Sequence, residues 1–254
     1  MDARVMLGLE GNSMFGISNR KSCKYKEDCF FQGECNNSDS CSHYFVVQSI
    51  VNRDGVVFAY ELLTRPTRLN GLTVEEYFLR LNFTEGSKIL EKQITNLINK
   101  SLTSCMFVDT IFVNVERYIL TNNYMVEKLL LCRNKLLSLG VEVVFEITER
   151  FEYSDKLIRK TFTRLLLEDI IFAADDYCFS KVTHQYIKDY TYVKVDMTEI
   201  LLGLDRNYNK FLDGLYSLKQ DGAKLIAEKI ETENEYLLVR LLPFDFFQGY
   251  YFDK

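Results

Sequence analysis

Short apolar runs alternate with longer amphipathic stretches along the chain from Tyr44 onward. The first two runs, at residues 44–51 and 56–63, flank Asn52-Arg53-Asp54-Gly55, whose Asp-Gly step is typical of a hairpin turn. The later runs are rich in β-branched and aromatic residues, as strands are, and the stretches between them have helical periodicity. The pattern therefore predicts an antiparallel strand pair followed by alternating helices and strands.

Two sets of elements follow from this pattern. Strands are predicted at residues 44–51, 56–63, 110–115, 142–147, 170–174, 192–195, 224–227 and 245–250, and helices at 74–101, 123–139, 155–167, 183–188, 207–220 and 233–242. Gly140 follows the second helix, where a left-handed stop is expected. Such an alternation predicts an α/β fold, namely a TIM-like (β/α)8 barrel with an antiparallel first strand. Because the chain stops at Lys254, the closing helix after the last strand is expected to be missing.

The domain organisation is predicted to be simple. With only 2 prolines and 12 glycines, and no stretch rich in Pro, Gly or Ser, the chain offers no obvious flexible linker. One main domain over residues 44–254 is therefore expected, preceded by a cysteine-bearing extension at residues 1–43. The polar extension has little means of forming a core of its own.

Charge and hydropathy restrict the class of function. The apolar runs are far shorter than the roughly 18 residues that span a bilayer, and the start of the chain lacks the pattern of a secretory signal. A cytoplasmic protein without membrane association is expected. The formal net charge of −5 argues against direct nucleic-acid binding. It does not exclude an anionic phosphate ligand, because acidic residues that hold cations reverse the local field.

Polar side chains stand at the ends of nearly all the predicted strands. They are Glu61, Asn114, Glu146, Asp175 with Asp176, Lys194, Glu228 and Gln248. Each position alone is better explained as a solvated loop residue, but in a barrel these ends meet at one mouth. Several carboxylates and an amide converging there would repel one another unless cations compensated their charge, and such oxygen ligands suit Mg²⁺ or Mn²⁺.

An ordered series of motifs accompanies these strand ends. It comprises Phe45-Val46-Val47-Gln48-Ser49-Ile50, Tyr60-Glu61-Leu62-Leu63-Thr64-Arg65-Pro66, Val113-Asn114-Val115, Phe145-Glu146-Ile147-Thr148-Glu149, Ala174-Asp175-Asp176-Tyr177, Val193-Lys194-Val195-Asp196, Ala227-Glu228-Lys229-Ile230-Glu231-Thr232 and Phe247-Gln248-Gly249-Tyr250. In this order the motifs resemble those of EAL-domain cyclic di-GMP phosphodiesterases. The resemblance implies an enzyme that hydrolyses cyclic di-GMP to linear pGpG.

The resemblance also implies roles for individual residues. Glu61, Asn114, Glu146 and Asp175 would hold one Mg²⁺ or Mn²⁺ ion, and Asp175, Asp176 and Glu228 would serve a second. Lys194 would position the attacking water, Glu228 would act as a base, and Glu231 would brace the loop after the double aspartate. Arg65 would contact a ligand phosphate, and Gln48 and Gln248 would complete the binding site, with Gln248 supporting the Lys194 region.

Two departures from the family pattern keep an alternative open. The loop at residues 177–181 lacks the glycines of the family's "DDFGTGYSS" segment, and Lys229 stands where "AEGVE" has glycine. The alternative is a weakly active or inactive EAL-like regulator that binds cyclic di-GMP or a protein partner such as a transcription factor. A homodimer is a further candidate assembly.

The extension carries Cys23, Cys29, Cys35 and Cys41, each separated from the next by five residues. Zinc, or secondly an iron–sulfur cluster, is a candidate ligand, although the Cys-x2-Cys spacing of common zinc sites is missing. Four ordinary thiols are an equal alternative. The remaining cysteines, Cys105, Cys132 and Cys178, lie among apolar neighbours and are expected to be packing residues.

Overall fold

Eight strands close into a barrel in the order in which they occur along the chain. The computed structural model describes residues 29–31, 41–103, 109–148, 155–179 and 187–253. The strands are β1 (His43–Asn52), β2 (Val57–Pro66), β3 (Thr110–Glu116), β4 (Glu142–Thr148), β5 (Ile171–Ala174), β6 (Tyr192–Asp196), β7 (Lys224–Glu228) and β8 (Phe246–Gln248). The helices are α1 (Val74–Leu79), α2 (Phe83–Thr103), α3 (Asn123–Leu137), α4 (Asp155–Leu167), α5 (Met197–Gln220) and α6 (Glu233–Arg240). Short 3-10 helices lie at Arg117–Thr121 and Ile187–Asp189.

Strand β1 runs antiparallel to both of its neighbours, β2 and β8, and the other neighbouring pairs are parallel. The β1–β2 turn forms as the sequence predicts: Gly55 has a φ of +76°, and the Asn52 side chain accepts hydrogen bonds from the backbone N–H groups of Asp54 and Val56. The predicted TIM-like barrel with an antiparallel first strand is confirmed.

Apolar side chains fill one end of the barrel interior. A buried cluster there includes Phe112, Val144 and Ala173, from three neighbouring strands. Successive residues of a strand point to opposite faces, so the side chains two positions further along each strand also point inward. Those next inward positions are polar, and they form the candidate site at the carboxyl ends of the parallel strands. Larger apolar clusters pack between the strands and the helices.

Some predicted helix boundaries are wrong. The predicted helix at residues 74–101 is two helices, because Asn82 starts a new one by accepting a hydrogen bond from the backbone N–H of Glu85. Helix α5 starts at Met197, ten residues before the predicted start. Its backbone breaks at Asn207, whose side chain caps the second half by accepting from the N–H of Lys210. The predicted helix at residues 183–188 lies mostly outside the described residues.

The ends of the domain agree in part with expectation. Gly140 has a φ of +79° and stops α3 as predicted, while β8 is shorter than the predicted strand at residues 245–250. Residues 249–253 form turns and bends. The boundary between residues 43 and 44 stays a prediction, although β1 already begins at His43. Within the described ranges, no helix is long and apolar enough to span a membrane.

Candidate functional site

Lys194 lies at the centre of a cluster of acidic side chains inside the barrel mouth. Its Nζ atom is 2.6 Å from Glu228 Oε1, 2.8 Å from Glu146 Oε1 and 3.0 Å from Glu61 Oε2. Asp175 Oδ1 is 4.0 Å away. Only 1% of the Lys194 side chain is exposed, so its ammonium group is surrounded by protein. We call these five residues the Lys194 cluster.

Strand register brings the cluster together. Asn114 and Glu146 are direct partners in the parallel β3–β4 pair, and Gln48 is opposite Glu61 in the antiparallel β1–β2 pair. Asp175 follows directly after β5. Because the strands belong to one closed barrel, their inward-facing ends converge on one point, as the strand-end pattern predicts.

Two amide side chains hold Glu61 in place. Asn114 Nδ2 donates to Glu61 Oε1 at 2.6 Å, and Gln248 Nε2 donates to Glu61 Oε2 at 2.6 Å. The Gln248 amide also donates to Gln48 Oε1 at 3.0 Å. Gln48 in turn donates to the exposed carboxylate of Asp253 at 2.8 Å. Both predicted glutamines are therefore at the site, where Gln248 contacts the acid cluster and Gln48 lies one contact further out.

Glu61 and Glu146 differ in their electrostatics although both are buried. Burial alone would raise the pKa of Glu61, but the charge of Lys194 and hydrogen bonds from Gln248, Lys194 and Asn114 hold it below its ordinary value. Burial and the charge of Glu61 raise the pKa of Glu146 well above its ordinary value. Glu61 is thus the member of the cluster that most readily stays ionised.

The other two acids are also shifted upward. Burial raises the pKa of Glu228 to about 8 and that of Asp175 to about 6, against the opposing charge of Lys194. Burial would lower the pKa of Lys194, but the surrounding carboxylates, Glu146 first, raise it well above its ordinary value. One ammonium group faces four carboxyl groups here, so the fully ionised cluster would carry more negative charge than its own cation can balance.

This imbalance makes the cluster fit divalent cations. Among the described residues, the buried oxygens Oε2 of Glu146 and Oε2 of Glu228 have no hydrogen-bond partner. Ligand oxygens of Glu61, Glu146 and Glu228 lie within 4.8 Å of one another, as do those of Asp175, Asp176 and Glu228. Carboxylate oxygens in such groups are the donors that Mg²⁺ and Mn²⁺ prefer.

A second lysine lies at the edge of the site. Lys229 Nζ is 2.9 Å from Asp176 Oδ1 and 2.8 Å from Asp196 Oδ2. Both Lys229 and Asp176 have a positive φ, of 58° and 46°, which non-glycine residues rarely adopt. The side chains of both residues are 57% exposed, in contrast to that of Lys194. We call Lys229, Asp176 and Asp196 the Lys229 triad.

The loop after the double aspartate is fixed by a residue that sequence reasoning missed. Glu199, in the first turn of α5, accepts hydrogen bonds from the Phe179 backbone N–H at 3.0 Å and from the Cys178 thiol at 3.3 Å. Phe179 packs against Gly214 of α5, where an added Cβ would come within 2.6 Å of its ring. The available signal was Asp196-x-x-Glu199, a spacing typical of a helix start, where Asp196 indeed accepts from the Glu199 N–H.

A cavity of about 590 Å³ opens beside the cluster. Its polar wall includes Arg65, whose guanidinium donates to the Thr64 carbonyl at 3.2 Å, together with the Lys194 cluster. Its opposite wall is largely apolar and comes from α1, α2 and the 3-10 helix after β3, including Phe78 and Tyr118. This volume and lining suit an organic ligand with both polar and aromatic parts.

The remaining predicted site residues lie apart from the cluster. Glu231 is exposed at the cavity edge, and its backbone N–H donates to Glu235. Cys29 is buried in an apolar cluster, and Cys41 Sγ lies 3.6 Å from Lys92 Nζ. Cys23 and Cys35 lie outside the described residues, so the four-cysteine metal site stays a prediction. Cys132, expected to be a packing residue, is completely buried in the core.

The chain is similar in sequence to a known protein. Cyclic di-GMP phosphodiesterase CdgJ of Vibrio cholerae is 30% identical over 113 residues, which is 44% of this chain and 25% of that protein. The alignment thus spans about a quarter of the length of that relative.

Solved structures share the fold. The YkuI protein of Bacillus subtilis, solved with its EAL domain in complex with cyclic di-GMP and calcium, superposes with a TM-score of 0.68 at 20% identity, over 84% of this chain and 54% of that one. PaMucR phosphodiesterase, in complex with cyclic di-GMP, superposes with a TM-score of 0.67 at 20% identity, over 84% and 96%. The sequence model of the EAL domain matches residues 36–254. The chain therefore belongs to the EAL domain family.

Proposed function

We propose that this chain is a metal-dependent phosphodiesterase that hydrolyses cyclic di-GMP to linear pGpG. The Lys194 cluster is the observation that carries the proposal, since it places four carboxyl groups around one ammonium beside a cavity of about 590 Å³. Family membership and a relative named as a cyclic di-GMP phosphodiesterase support the choice of substrate.

The charge imbalance supports the requirement for metal. Glu61, Asn114, Glu146 and Asp175 would hold one Mg²⁺ or Mn²⁺ ion, and Asp175, Asp176 and Glu228 a second. When bound, such cations neutralise the phosphodiester and lower the pKa of water. The partnerless oxygens of Glu146 and Glu228 support this assignment, because buried polar atoms ordinarily have a partner.

Side chains of the Lys194 cluster would accept and donate the protons that the reaction transfers. The oxygen of water forms a bond to one phosphorus atom, the bond from that phosphorus to the ribose 3′ oxygen breaks, and the leaving oxygen takes up a proton. Glu228, whose buried Oε2 atom has no hydrogen-bond partner among the described residues, would in its ionised form accept the proton that water releases. Lys194 donates to three carboxylates at once, so it would position the attacking water through Glu228 and Glu61.

Other residues would bind and orient the substrate. Arg65 lines the cavity, and its guanidinium would contact a phosphate oxygen. Gln248 would act mainly by fixing the position of Glu61, to which it donates a hydrogen bond. Gln48 would contact the ligand once its hydrogen bond to Asp253 is broken. For Glu231 we retain the proposed support of the loop after the double aspartate, a task that Glu199 shares through its contacts with Cys178 and Phe179.

A non-catalytic EAL regulator is the second candidate. The Lys229 triad favours it, because Lys229 engages an acid that would serve the second cation. Such a regulator would bind cyclic di-GMP or a protein partner without turnover. The homodimer also stays a proposal, to be examined by light scattering of the purified chain.

One assay separates the two candidates. Purified chain is incubated with cyclic di-GMP and either Mg²⁺ or Mn²⁺, and the nucleotides are resolved by chromatography. We expect pGpG to accumulate with either metal and to be absent with excess chelator. Binding of cyclic di-GMP without any pGpG, at all metal concentrations, would support the regulator instead.

A further inference from the structure

Lys229 has no part in the chemistry proposed above. Its ammonium group lies between two carboxylates, with contacts of 2.9 Å to Asp176 and 2.8 Å to Asp196. Asp196 is held independently, because its other oxygen caps α5 by accepting from the Glu199 N–H at 2.8 Å. Lys229 therefore draws Asp176 toward a fixed point on the barrel rim.

Asp176 also belongs to a group that points to a cation. Ligand oxygens of Asp175, Asp176 and Glu228 lie within 4.8 Å of one another. Glu228 is only 6% exposed, and its Oε2 atom has no hydrogen-bond partner among the described residues. A buried carboxylate oxygen without a partner, in a group of three acids, is a position that a divalent cation would satisfy.

We propose that Lys229 is a built-in counter-ion of Asp176 that competes with a divalent cation for the Asp175–Asp176–Glu228 group. This inference rests on the proposed function, since it concerns the second of the two cations assigned there. The group Glu61, Asn114, Glu146 and Asp175 would bind the first cation without involving Lys229. Cation binding then occurs in two unequal steps, of which the second must displace an ammonium group.

Exposure explains how the displacement can happen. The side chain of Lys229 is 57% exposed, so it can rotate into solvent or remain on Asp196 alone. An ammonium and a divalent cation at adjacent carboxylate oxygens repel each other, and only one of them can be the main partner of Asp176. We therefore expect the second cation to bind more weakly in this chain than in a variant without the lysine charge, and activity to rise steeply at high metal concentration.

Calorimetric titration with Mn²⁺ in the absence of nucleotide tests the inference by a readout other than activity. The unmodified full chain is compared with Lys229→Met, which keeps most of the side chain and removes the charge. Lys188→Met is the matched control: Lys188 pairs with Asp221 at 3.0 Å before β6, at the other end of the barrel, and its loss changes net charge equally. Lys229→Gly provides a second variant, because glycine adopts the φ of +58° without strain.

We expect two Mn²⁺ ions per chain, with the second bound about tenfold more tightly in Lys229→Met and Lys229→Gly than in the unmodified chain. Lys229→Arg, which keeps the charge, should bind the second ion as weakly as the unmodified chain does. The first ion should be affected little by any of these changes.

Other outcomes distinguish the inference from the proposed function. Equal affinity for the second ion in the unmodified chain and both uncharged variants would overturn the inference and leave the proposed function standing. Equal tightening in Lys188→Met would also overturn it, since it would show a general effect of net charge. No Mn²⁺ binding by any variant would overturn both.

Discussion

The two lysines of the mouth meet similar partners in different surroundings. Lys194 contacts three carboxylates with 1% of its side chain exposed, whereas Lys229 bridges two with 57% exposed. The first is part of a strand and is fixed by the barrel. The second follows a strand end, with a positive φ, and its head can reach water.

The two lysine ammonium groups therefore have different roles in the same site. A buried ammonium with several acids around it cannot leave without stranding their charge, so Lys194 is a permanent element of the fold. A half-exposed ammonium is stabilised much less by its ion pairs, so Lys229 can be replaced by a competing cation. Four tests examine this contrast, in order of decreasing effect.

The largest effect is expected from removing an acid of the buried cluster. Glu61→Ala or Asp175→Asn should lower the rate of pGpG formation by at least about three powers of ten, because two-cation activation is lost. Chromatographic product assays give the rate, and circular dichroism verifies that the variants are folded. Asp221→Asn, which changes a carboxylate remote from the mouth, is the control. Wild-type rates in both cluster variants would refute the metal assignment.

Removing the buried ammonium should cost stability. Lys194→Met leaves the carboxylates around it without their cation, and we expect the free energy of unfolding to fall by about 3 kcal/mol in chelator. Denaturant unfolding at pH 8 measures this loss. Saturating Mn²⁺ should recover part of it, because the metal supplies positive charge to the same acids. A loss below about 1 kcal/mol would show that Lys194 is not an essential counter-charge.

His43 shows what burial does to a basic side chain whose hydrogen-bond partners, Ser42 and Tyr77, are uncharged. Burial and the nearby charge of Lys92 lower the pKa of His43 to about 4, while Ser42 and Tyr77 contact its two ring nitrogens at 2.9 Å. The folded chain thus keeps His43 neutral, whereas the unfolded chain takes up the proton near pH 6.5. Its contribution is complete above pH 6.5 and decreases as pH falls toward 4.

We therefore expect His43 to account for a loss of about 2 kcal/mol in the free energy of unfolding between pH 7 and 4.5. Denaturant unfolding of the unmodified chain and of His43→Gln at both pH values isolates this term from the titration of the acids. An equal pH dependence in the two chains would contradict the assignment of a neutral, buried imidazole.

The smallest effect is expected at the exposed pair. Lys229→Met should change the free energy of unfolding by less than about 1 kcal/mol in chelator, because screened ion pairs contribute little and 57% of the Lys229 side chain is exposed. The same denaturant experiment as for Lys194→Met provides the measurement. A loss comparable with that of Lys194→Met would remove the contrast between the two lysines and make displacement of Lys229 too costly to occur.

The barrel and the inner site were predictable because both depend on local periodicity. Alternation along each strand fixes which residues point inward, so reading the polar strand ends was enough to select Glu61, Glu146 and Lys194. The helix boundaries were less accessible. Asn82 caps a new helix inside a segment whose pattern predicts one continuous helix. Asn207 caps the second half of α5 at the residue where the pattern predicts that the helix begins. The pattern of apolar residues alone does not distinguish the start of a helix from a break within one.

Contacts between distant parts of the chain were not predictable. The bond from Gln48 to Asp253 joins residues 205 positions apart, and no spacing rule relates them. The hydrogen bond from the Phe179 N–H to Glu199 depends on how the loop after the double aspartate packs against α5. The pairing of Lys229 with a neighbouring acid was foreseeable from its charge, but the choice of Asp176 and Asp196 was set by the rim of the barrel.

Phe31 is buried in the core although it precedes the first residue that matches the EAL family. Phe31 is completely buried and packs edge-on against Phe45 of β1, and the carbonyl of Phe30 accepts from Lys100 of α2. Yet the match to the family begins only at residue 36. A shortened chain that starts there would leave the Phe45 ring open to water, and aggregation through that new apolar surface could be mistaken for a property of the catalytic domain.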